Sequence, residues 1–409
     1  MYIKCKQGKM FSRICGGGLL GQKLFYALNI ILTYYIIYVT KNERNIKMEN
    51  LDSKKVVVDV HVLQQLPPSC VNRDDYGRPK TCVYGGVERQ RLSSQTQKRA
   101  SRRYEGEHFK GLAPAYRTLH VKDLITEEIK KLDPAMKDEQ IESKAKIAMN
   151  RTGINKAKGA KTNALDAEQA ATFFISRDQA RALAKLSLDG CKDEGQYEEA
   201  IIERPNIDQL LFGRMCASNN KLGYEAACQV AHAISTHAVA DEYDYFTAVD
   251  DYEQSGPGAG YLDMAYFCSS TLYRFASVDV SQLLADIERF HANGNAADAT
   301  AKFVEAFALS MPTGKIHAYG NSTLPSDVYI TVRNDQAVSM VGAFEKPVTT
   351  FNEGYVIPSE KAFCDYVKKT YESFVKPPVH AFAVGEGMSP IAKVKPFWDA
   401  IADLKTVLR

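Results

Sequence analysis

The chain has 409 residues, of which 45% are hydrophobic and 25% are charged, proportions typical of a protein that buries a large core. Its net charge of +3 is unevenly distributed, because residues 1–47 alone carry +7 and the remainder carries −4. The main part of the chain is therefore not basic overall. Any binding of anions must come from local clustering of charge.

The nine cysteines include no Cys-x-x-Cys pair, so the sequence predicts neither a zinc ribbon nor a paired disulfide framework. Their loose spacing favours reduced, packed thiols in a cytoplasmic protein. His232 and His237 are five residues apart, whereas a zinc pair on one helix face needs an i, i+4 spacing. We therefore interpret both histidines as packing or surface residues and expect no metal and no cofactor.

Residues 1–47 contain an uncharged segment, Leu24–Thr40, that is rich in Leu, Ile and Tyr. Lysines precede it, so one interpretation is a signal anchor, although a membrane span usually takes roughly 17–25 residues. The alternative is that residues 1–47 lie upstream of a true start at Met48, because Ile, Tyr, Asn and Lys are encoded by AT-rich codons. We favour the second interpretation and leave this segment out of the fold.

The first predicted element is a buried strand at Val56–Leu63, which is dense in β-branched residues and ends at a Pro-Pro pair. A polar loop at 72–80 and a Gly-Gly turn follow, and Ser93 then caps a segment of good helix formers. Residues 121–212 are mostly helical in pattern. They predict a helical insertion.

The second half of the chain mixes helices and strands. Residues 224–240 predict a helix, and residues 244–275 predict a long hairpin with its turn at 255–258. The remaining predicted elements are amphipathic helices at 280–291 and 298–309, a strand at 327–332, and helices at 361–374 and 396–408. Helices between non-adjacent strands predict an α+β fold built on an open antiparallel sheet.

A basic segment from Arg73 to Arg103 holds nine Lys or Arg residues and only three acids. On a helix that begins near Ser94, four side chains fall within about 100° of one another. They are Gln95, Lys98, Arg99 and Arg102. The helix start adds free N–H groups beside the hydroxyl of Ser93, and a loop carrying Lys80 can lie alongside. This arrangement suits the phosphates and 2′-hydroxyls of RNA, and the alternative is a solvated basic helix face.

Seven blocks of sequence carry a resemblance to a known family. They are SCVNRDDYGRPKTCVYGG at 69–86, QRLSSQTQKRASR at 90–102, LFGRM at 211–215, AHAISTH at 231–237, YFTAVDD at 245–251, SSTLYRFASV at 269–278 and GAFEKPV at 342–348. In order and spacing these blocks resemble the CasC-type backbone subunits of type I-E CRISPR Cascade, within the RAMP superfamily. The resemblance covers most of the chain from Val56 to Val348 and is weaker at the C-terminus.

The resemblance implies a modified ferredoxin-like palm of the RNA-recognition type, with an antiparallel sheet, a helical fingers insertion and a β-hairpin thumb. The palm would comprise residues 48–120, 213–240 and 269–409, with the fingers at 121–212 and the thumb at 241–268. Several copies would pack head to tail along one guide RNA, beside other Cascade subunits. The guide would then pair with target DNA, and no small-molecule substrate is expected.

The resemblance also assigns residues to the guide RNA. The RNA-binding positions are Arg73, Lys80, Ser93, Gln95, Lys98, Arg99 and Arg102. The thumb positions that would displace a base are Met215, Phe246 and Thr247, with Tyr261 and Leu262 as further candidates near the tip. Phe246 could instead be a strand core residue, which is the role that we expect for Tyr273 and Phe275.

We expect a binding role without catalysis. The alternative is a metal-dependent endoribonuclease, because related type III backbone subunits carry an Asp in the loop after the first strand and cut target RNA. Asp74 and Asp75 occupy a comparable loop and could hold a metal ion for phosphodiester hydrolysis. The simpler interpretation is that they form a turn and pair with Arg73 or Arg78. A third alternative, a membrane-tethered RNA binder, requires residues 1–47 to be translated.

Overall fold

The computed structural model describes residues 55–104, 115–154, 172–216, 219–249, 251–252 and 259–409. The predictions for residues 1–47 and for the turn at 255–258 lie outside these ranges. Among the described residues, no helix has both the length and the apolar character needed to cross a membrane.

Strands and helices follow one another in mixed order along the described ranges. The strands are β1 (Val57–Ser69), β2 (Thr81–Tyr84), β3 (Val87–Leu92), β4 (Ala115–Thr118), β5 (Phe173–Ser176), β6 (Cys228–Val230), β7 (Ala233–Ser235), β8 (Glu242–Val249), β9 (Ala259–Asp279), β10 (Asp327–Arg333) and β11 (His380–Val384). The helices are α1 (Ser94–Arg102), α2 (Val121–Leu132), α3 (Asp138–Thr152), α4 (Arg177–Leu188), α5 (Glu194–Ile202), α6 (Ile207–Phe212), α7 (Val280–Arg289), α8 (Ala296–Leu309), α9 (Ile316–Tyr319), α10 (Val356–Ser373) and α11 (Phe397–Leu408). The α+β expectation is confirmed.

One large antiparallel sheet lies at the centre, in the order β11-β10-β1-β9-β7-β3-β2, with β6 and β8 also paired to β9. Strand β1 is buried on both faces because its alternate residues face two different cores. Val58, Val60 and Val62 pack against α7, α8 and α11. His61 and Leu63 face the opposite side, where α10 packs. The sheet is therefore covered by helices on both faces.

The predicted helices between residues 121 and 212 form a unit with a core of its own. Helices α2 to α5 pack around Ile125, Ile129, Leu183 and Tyr197. Helix α4 begins at a capping box, in which Ser176 and the residue three positions later satisfy each other's backbone N–H groups. Strands β4 and β5 pair with each other beside these helices. The sequence analysis missed both, because four residues are too few to show an alternating pattern.

Two predicted elements differ from the structure. Strand β1 does not end at the prolines but continues to Ser69, and its pairing with β9 becomes irregular between Leu66 and Ser69. The two prolines have no N–H to donate, so they interrupt the ladder without ending the strand. The predicted helix at 224–240 is wrong. This stretch forms β6 and β7, because hydrogen bonding to β9 overrides the local helical pattern.

The predicted hairpin is present. Strand β8 pairs with the first part of β9, and the pair nearest the central sheet is Glu242 with Phe267. Every residue of β8 is exposed, so the hairpin stands away from the core. Strand β9 then continues without a break to Asp279 and pairs with β1 in the central sheet. The return strand is therefore longer than predicted, and one strand serves both the hairpin and the sheet.

Candidate nucleic-acid interface

The polar loop after β1 is a tight turn that is held by its own acidic residue. The Asp74 carboxylate oxygen Oδ1 accepts hydrogen bonds from the N–H groups of Tyr76 and Arg78, both at 2.9 Å. The N–H of Asp74 donates to the Arg78 carbonyl, also at 2.9 Å. An Asp in this position favours a turn, because its side chain replaces a backbone acceptor. The turn leaves Arg73 exposed.

Hydrogen bonds join this loop to the start of α1. The Asn72 side chain accepts from the N–H of Ser93 at 2.8 Å, and the Asn72 carbonyl accepts from the N–H of Lys80 at 2.8 Å. The Lys80 carbonyl in turn accepts from the N–H of Arg91 at 2.8 Å. The structure thus brings Arg73 and Lys80 beside the helix start.

Helix α1 is amphipathic, but not quite as its sequence predicts. Gln95 and Arg99 are exposed and Lys98 is half-buried, whereas Gln97 faces the core. Ser93 occupies the position before the helix, but its side chain is buried and makes no capping hydrogen bond. The hydrogen bond from the Ser93 N–H to the Asn72 side chain fixes this end of the helix instead.

The prediction that Arg102 lies on the exposed row of α1 is wrong. Only 8% of Arg102 is exposed. Its Nη2 donates to the Ala115 carbonyl at 3.0 Å and to the Asp208 carboxylate at 3.1 Å. The guanidinium also lies 4.5 Å from the ring centroid of Phe174. In the last turn of the helix the side chain therefore points inward and joins α1 to β4, β5 and α6.

Five cations around the loop and α1 are not neutralised by the protein. Within the described ranges none of the five forms an ion pair, whereas Arg177 pairs with Glu127 at 2.9 Å and Arg333 pairs with Asp335 at 2.7 Å. We call the five the basic surface: Arg73, Lys80, Arg91, Lys98 and Arg99. The sequence analysis counted Arg91 in the basic segment but did not select it for the site. Its place beside α1 depends on the β3–β7 pairing.

His232 lies within the basic surface, although the sequence suggested only a packing or surface role. Its Nδ1 is 3.2 Å from Nη1 of Arg91 and 3.3 Å from the backbone nitrogen of Ser94. Partial burial lowers the pKa of His232, and the positive charges of Arg91 and Lys80 lower it further. The ring is therefore neutral at pH 7 and accepts hydrogen bonds from these donors. The helix start and the arginine are held together through it.

The hairpin presents apolar side chains to solvent. Phe246 is 40% exposed, and its ring centroid is 6.2 Å from that of Tyr261 on the opposite strand. Thr247 pairs with Leu262 in the ladder. Met215 lies outside the hairpin, directly after α6, and is 89% exposed. An exposed sulfur-containing or aromatic side chain of this kind can stack against a base.

Strand β9 carries buried aromatic residues beyond the hairpin, and an arginine of the basic loop contacts a tyrosine at the hairpin base. Tyr273 and Phe275 are 2% and 6% exposed, which confirms the prediction that they belong to the core. The Arg78 guanidinium lies 4.9 Å from the ring centroid of Tyr266, at the base of the hairpin. The basic loop and the hairpin base are therefore in direct contact.

The loop carboxylates show no metal-binding arrangement. In the ranges that the structure describes, no group of three or more His, Cys, Asp or Glu residues could hold a metal ion. The Asp74 carboxylate already accepts two backbone hydrogen bonds within its turn, and Asp75 is exposed. The turn interpretation accounts for Asp74.

Comparison with protein families decides the class of this chain. Residues 58–406 match the family model described as CT1975-like protein. The chain belongs to the CT1975-like protein family. Comparison with curated proteins finds no match.

Two solved structures contain chains similar to this family member. A chain of a structure titled "CRISPR RNA-guided surveillance complex, pre-nicking" has a TM-score of 0.72 and 28% sequence identity, covering 86% of this chain and 100% of that chain. A chain of a structure titled "CRISPR RNA-guided surveillance complex" has a TM-score of 0.56 and 25% identity, again covering 86% and 100%. The fold built around the basic surface is thus similar to that of chains in CRISPR surveillance complexes.

Proposed function

We propose that this protein is the guide-RNA-binding backbone subunit of a CRISPR antiviral surveillance complex. The single observation that carries the proposal is the basic surface, whose five cations form no ion pair within the described residues. Two of the five are exposed and three are half-buried, and cations that reach solvent without a carboxylate partner are available to bind phosphates. A chain that is otherwise slightly acidic does not attract RNA by its global charge, so the binding must occur at such a cluster.

The finer assignment is a CasC-type subunit of type I-E Cascade. In this assignment the ferredoxin-like palm comprises residues 48–120, 213–240 and 269–409. The helical insertion at 121–212 serves as fingers and the hairpin at 241–268 as thumb. The central antiparallel sheet, the separate core of the insertion and the exposed hairpin support this division.

The basic surface holds the guide by its backbone and does not read its sequence. Lys98 and Arg99 on α1 and Arg73 and Lys80 on the loop contact phosphates, while Gln95 is placed for a 2′-hydroxyl. Ser93 is buried and its N–H donates to Asn72, so it positions the start of α1 beside the loop. The role first predicted for Arg102 passes to Arg91, which is half-buried beside α1 and forms no ion pair within the described residues.

The hairpin interrupts base stacking. Phe246, Thr247 and Met215 are exposed and placed to turn a base out of the stack, with Tyr261 and Leu262 nearer the tip. An aromatic or apolar side chain can replace a stacking neighbour at a level of roughly 1–3 kcal/mol per base. The bases between such points remain free to pair with target DNA, so pairing supplies the sequence specificity.

Several copies bind one guide head to tail in the cytoplasm, beside other Cascade subunits. Contacts between two different surfaces of each copy generate an open filament rather than a closed ring. We propose no catalytic role for the protein itself, and the engagement of the Asp74 carboxylate in its own turn supports this.

The test is binding of a single-stranded RNA of guide length to the full chain at several salt concentrations. We expect tight binding at low ionic strength, a steep loss of affinity with salt, and a complex that contains several protein copies. Absence of binding at low salt, with a protein that stays monomeric beside RNA, would overturn the proposal.

A second assay addresses catalysis. The assembled complex is incubated with Mg²⁺ and an RNA complementary to the guide. Intact RNA is the expected result, and regularly spaced cuts that disappear in an Asp74→Asn or Asp75→Asn variant would establish the endoribonuclease instead.

A further inference from the structure

A segment between α8 and β10 crosses the loop that carries Arg73. A Cβ placed on Gly314 would lie 2.4 Å from the Val71 carbonyl oxygen and 3.0 Å from the Cys70 carbonyl oxygen. Contact this close is possible only for a residue without a side chain. The backbone at 314 therefore rests directly on the end of β1, at the start of the basic loop.

The next residue, Lys315, is held in an unfavourable backbone conformation. Its φ is +50°, in the left-handed region that non-glycine residues rarely adopt. Backbone strain of this kind persists only where the surrounding structure imposes it, and it is concentrated at functional positions. Here the contact of Gly314 with Val71 on one side and the short helix α9 on the other impose it.

The charge of Lys315 acts on both the basic loop and the hairpin. Burial raises the pKa of the Cys70 thiol, and the positive charges of Lys315 and Arg73 oppose this rise. The N–H of Met264 and the hydroxyl of Tyr261 lower the pKa of Asp263 on the hairpin, and Lys315 lowers it further. Lys315 is therefore close enough to Cys70, at the start of the basic loop, and to Asp263 of the hairpin for its charge to act on both.

The same segment also packs on the hairpin base. The ring centroid of Tyr319 is 6.3 Å from that of Phe267, the residue that pairs with Glu242 at the start of the hairpin. His317, between Lys315 and Tyr319, is exposed. The segment from 314 to 319 thus bridges the start of the loop that carries Arg73 and the hairpin part of β9, which pairs with the strand that carries Phe246.

We propose that Lys315 is a further phosphate-binding residue, which contacts the RNA backbone where it passes from the basic surface to the hairpin. This inference rests on the proposed function. Among the described residues Lys315 forms no ion pair, although Asp263 is near enough for its pKa to be affected. A lysine held between two RNA-binding parts and left unneutralised has the properties of the basic surface.

The test compares Lys315→Gln with two other variants of the full chain, using an unstructured polyuridine RNA as probe. Lys98→Ala is the positive control on α1. Lys393→Gln is the matched negative control, because Lys393 is exposed beside β11, at the opposite edge of the central sheet from β2. The readouts are the dissociation constant and its dependence on salt, together with the midpoint of thermal unfolding.

We expect Lys315→Gln to weaken binding about fivefold at low salt and to reduce the slope of log affinity against log salt by about 0.7 per protomer. The unfolding midpoint should not change, and Lys393→Gln should bind as the parent does. If Lys98→Ala flattens the slope and Lys315→Gln does not, the inference is wrong and the proposed function stands. If neither changes the slope, both are overturned.

Discussion

Two buried arginines and two exposed arginines carry the same kind of charge but occupy opposite environments. Arg89 and Arg274, fully buried, donate to backbone carbonyls and amide side chains, whereas Arg73 and Arg99 are exposed and have no ion pair within the described residues. Both sets are positively charged, but only the exposed set has donors to spare. The number of basic residues in a segment is therefore larger than the number that can bind RNA. A cation is available to RNA only if the protein does not already occupy its hydrogen-bond donors.

Arg274 is the clearest member of the buried set. It donates to the carbonyls of Phe307 and Ala308 near the end of α8, to Ser310 at 2.9 Å, and to Gln64 and Gln97. Burial lowers its pKa to about 9. Since Gln97 belongs to α1, this arginine ties the RNA-binding helix to the end of α8. Its contribution is structural, because its charge is enclosed.

The largest effect is expected from Arg274→Met. The substitution leaves several buried acceptors without donors, and we expect a loss of about 3–5 kcal/mol in the free energy of unfolding. Urea denaturation measures it, with Arg99→Met as the matched exposed control, for which a change below about 0.5 kcal/mol is expected. Equal losses for the two variants would abolish the distinction between interior and surface.

The second prediction concerns the pH dependence of the Arg102–Asp208 pair. Burial raises the pKa of Asp208 from 3.8 to about 6, although Arg102 opposes the rise. The folded state then binds this proton more tightly than the unfolded state, so the stability is fully present below pH 3.8 and is lost as the pH rises through 6.

For Asp208→Asn this dependence should vanish. The unfolding free energy of the parent minus that of the variant should fall by about 2–3 kcal/mol between pH 4 and pH 7. Denaturation of both proteins at several pH values measures the two free energies. Subtracting one from the other removes the contribution of groups that titrate in both. A difference that stays constant or rises with pH would show that burial does not raise the pKa of Asp208, because attraction to Arg102 offsets or outweighs it.

The third effect is on RNA alone. Lys98→Ala combined with Arg99→Ala should weaken binding of single-stranded RNA roughly ten- to a hundredfold and lower the salt slope by about 1.4, with no loss of stability. Filter binding across a salt series measures both quantities. A loss of affinity with an unchanged salt dependence would show that these residues do not contact phosphates. A loss of unfolding free energy in the same variant would show that they stabilise the fold, as the buried arginines do.

The smallest effect is expected from Phe246→Ala, which involves no charge. We expect a loss of affinity of about fivefold with an unchanged salt slope, because only stacking is removed. Ile357→Ala is the control, since Ile357 is a 69% exposed apolar residue on α10 and does not belong to the hairpin. A changed slope would indicate that the hairpin acts by positioning the cations instead.

Much of the fold follows from local patterns. The β-branched run at Val56–Leu63 predicts a buried strand, and the amphipathic stretches at 280–291 and 298–309 predict α7 and α8, because each signal lies within the element itself. The pairing of β8 with β9 was also predicted. By contrast, residues 228–235 form strands because β9 and β3 supply their hydrogen bonds, and nothing local to the sequence shows this.

The site was predictable only in outline. Gln95, Lys98 and Arg99 follow from helical spacing, and so, wrongly, does Arg102, whose orientation is set by Asp208 more than a hundred positions away. His232 and Lys315 carry no local signal, since each is an isolated residue that only the folded chain brings to the loop. Spacing along a helix defines its faces, and tertiary contacts decide which face is outside.

The unbroken course of β9 has a mechanical consequence. Its 21 residues extend roughly 70 Å from the hairpin to the sheet, with no hinge between the two ends. The hairpin and the sheet therefore share one continuous strand, whose second part is held by its pairing with β1. A force on the hairpin tip is transmitted along this strand to the sheet. The length of the hairpin depends on the number of residues in its two strands, so inserting two residues into each strand would lengthen it by about 7 Å. A single added residue would turn its faces over.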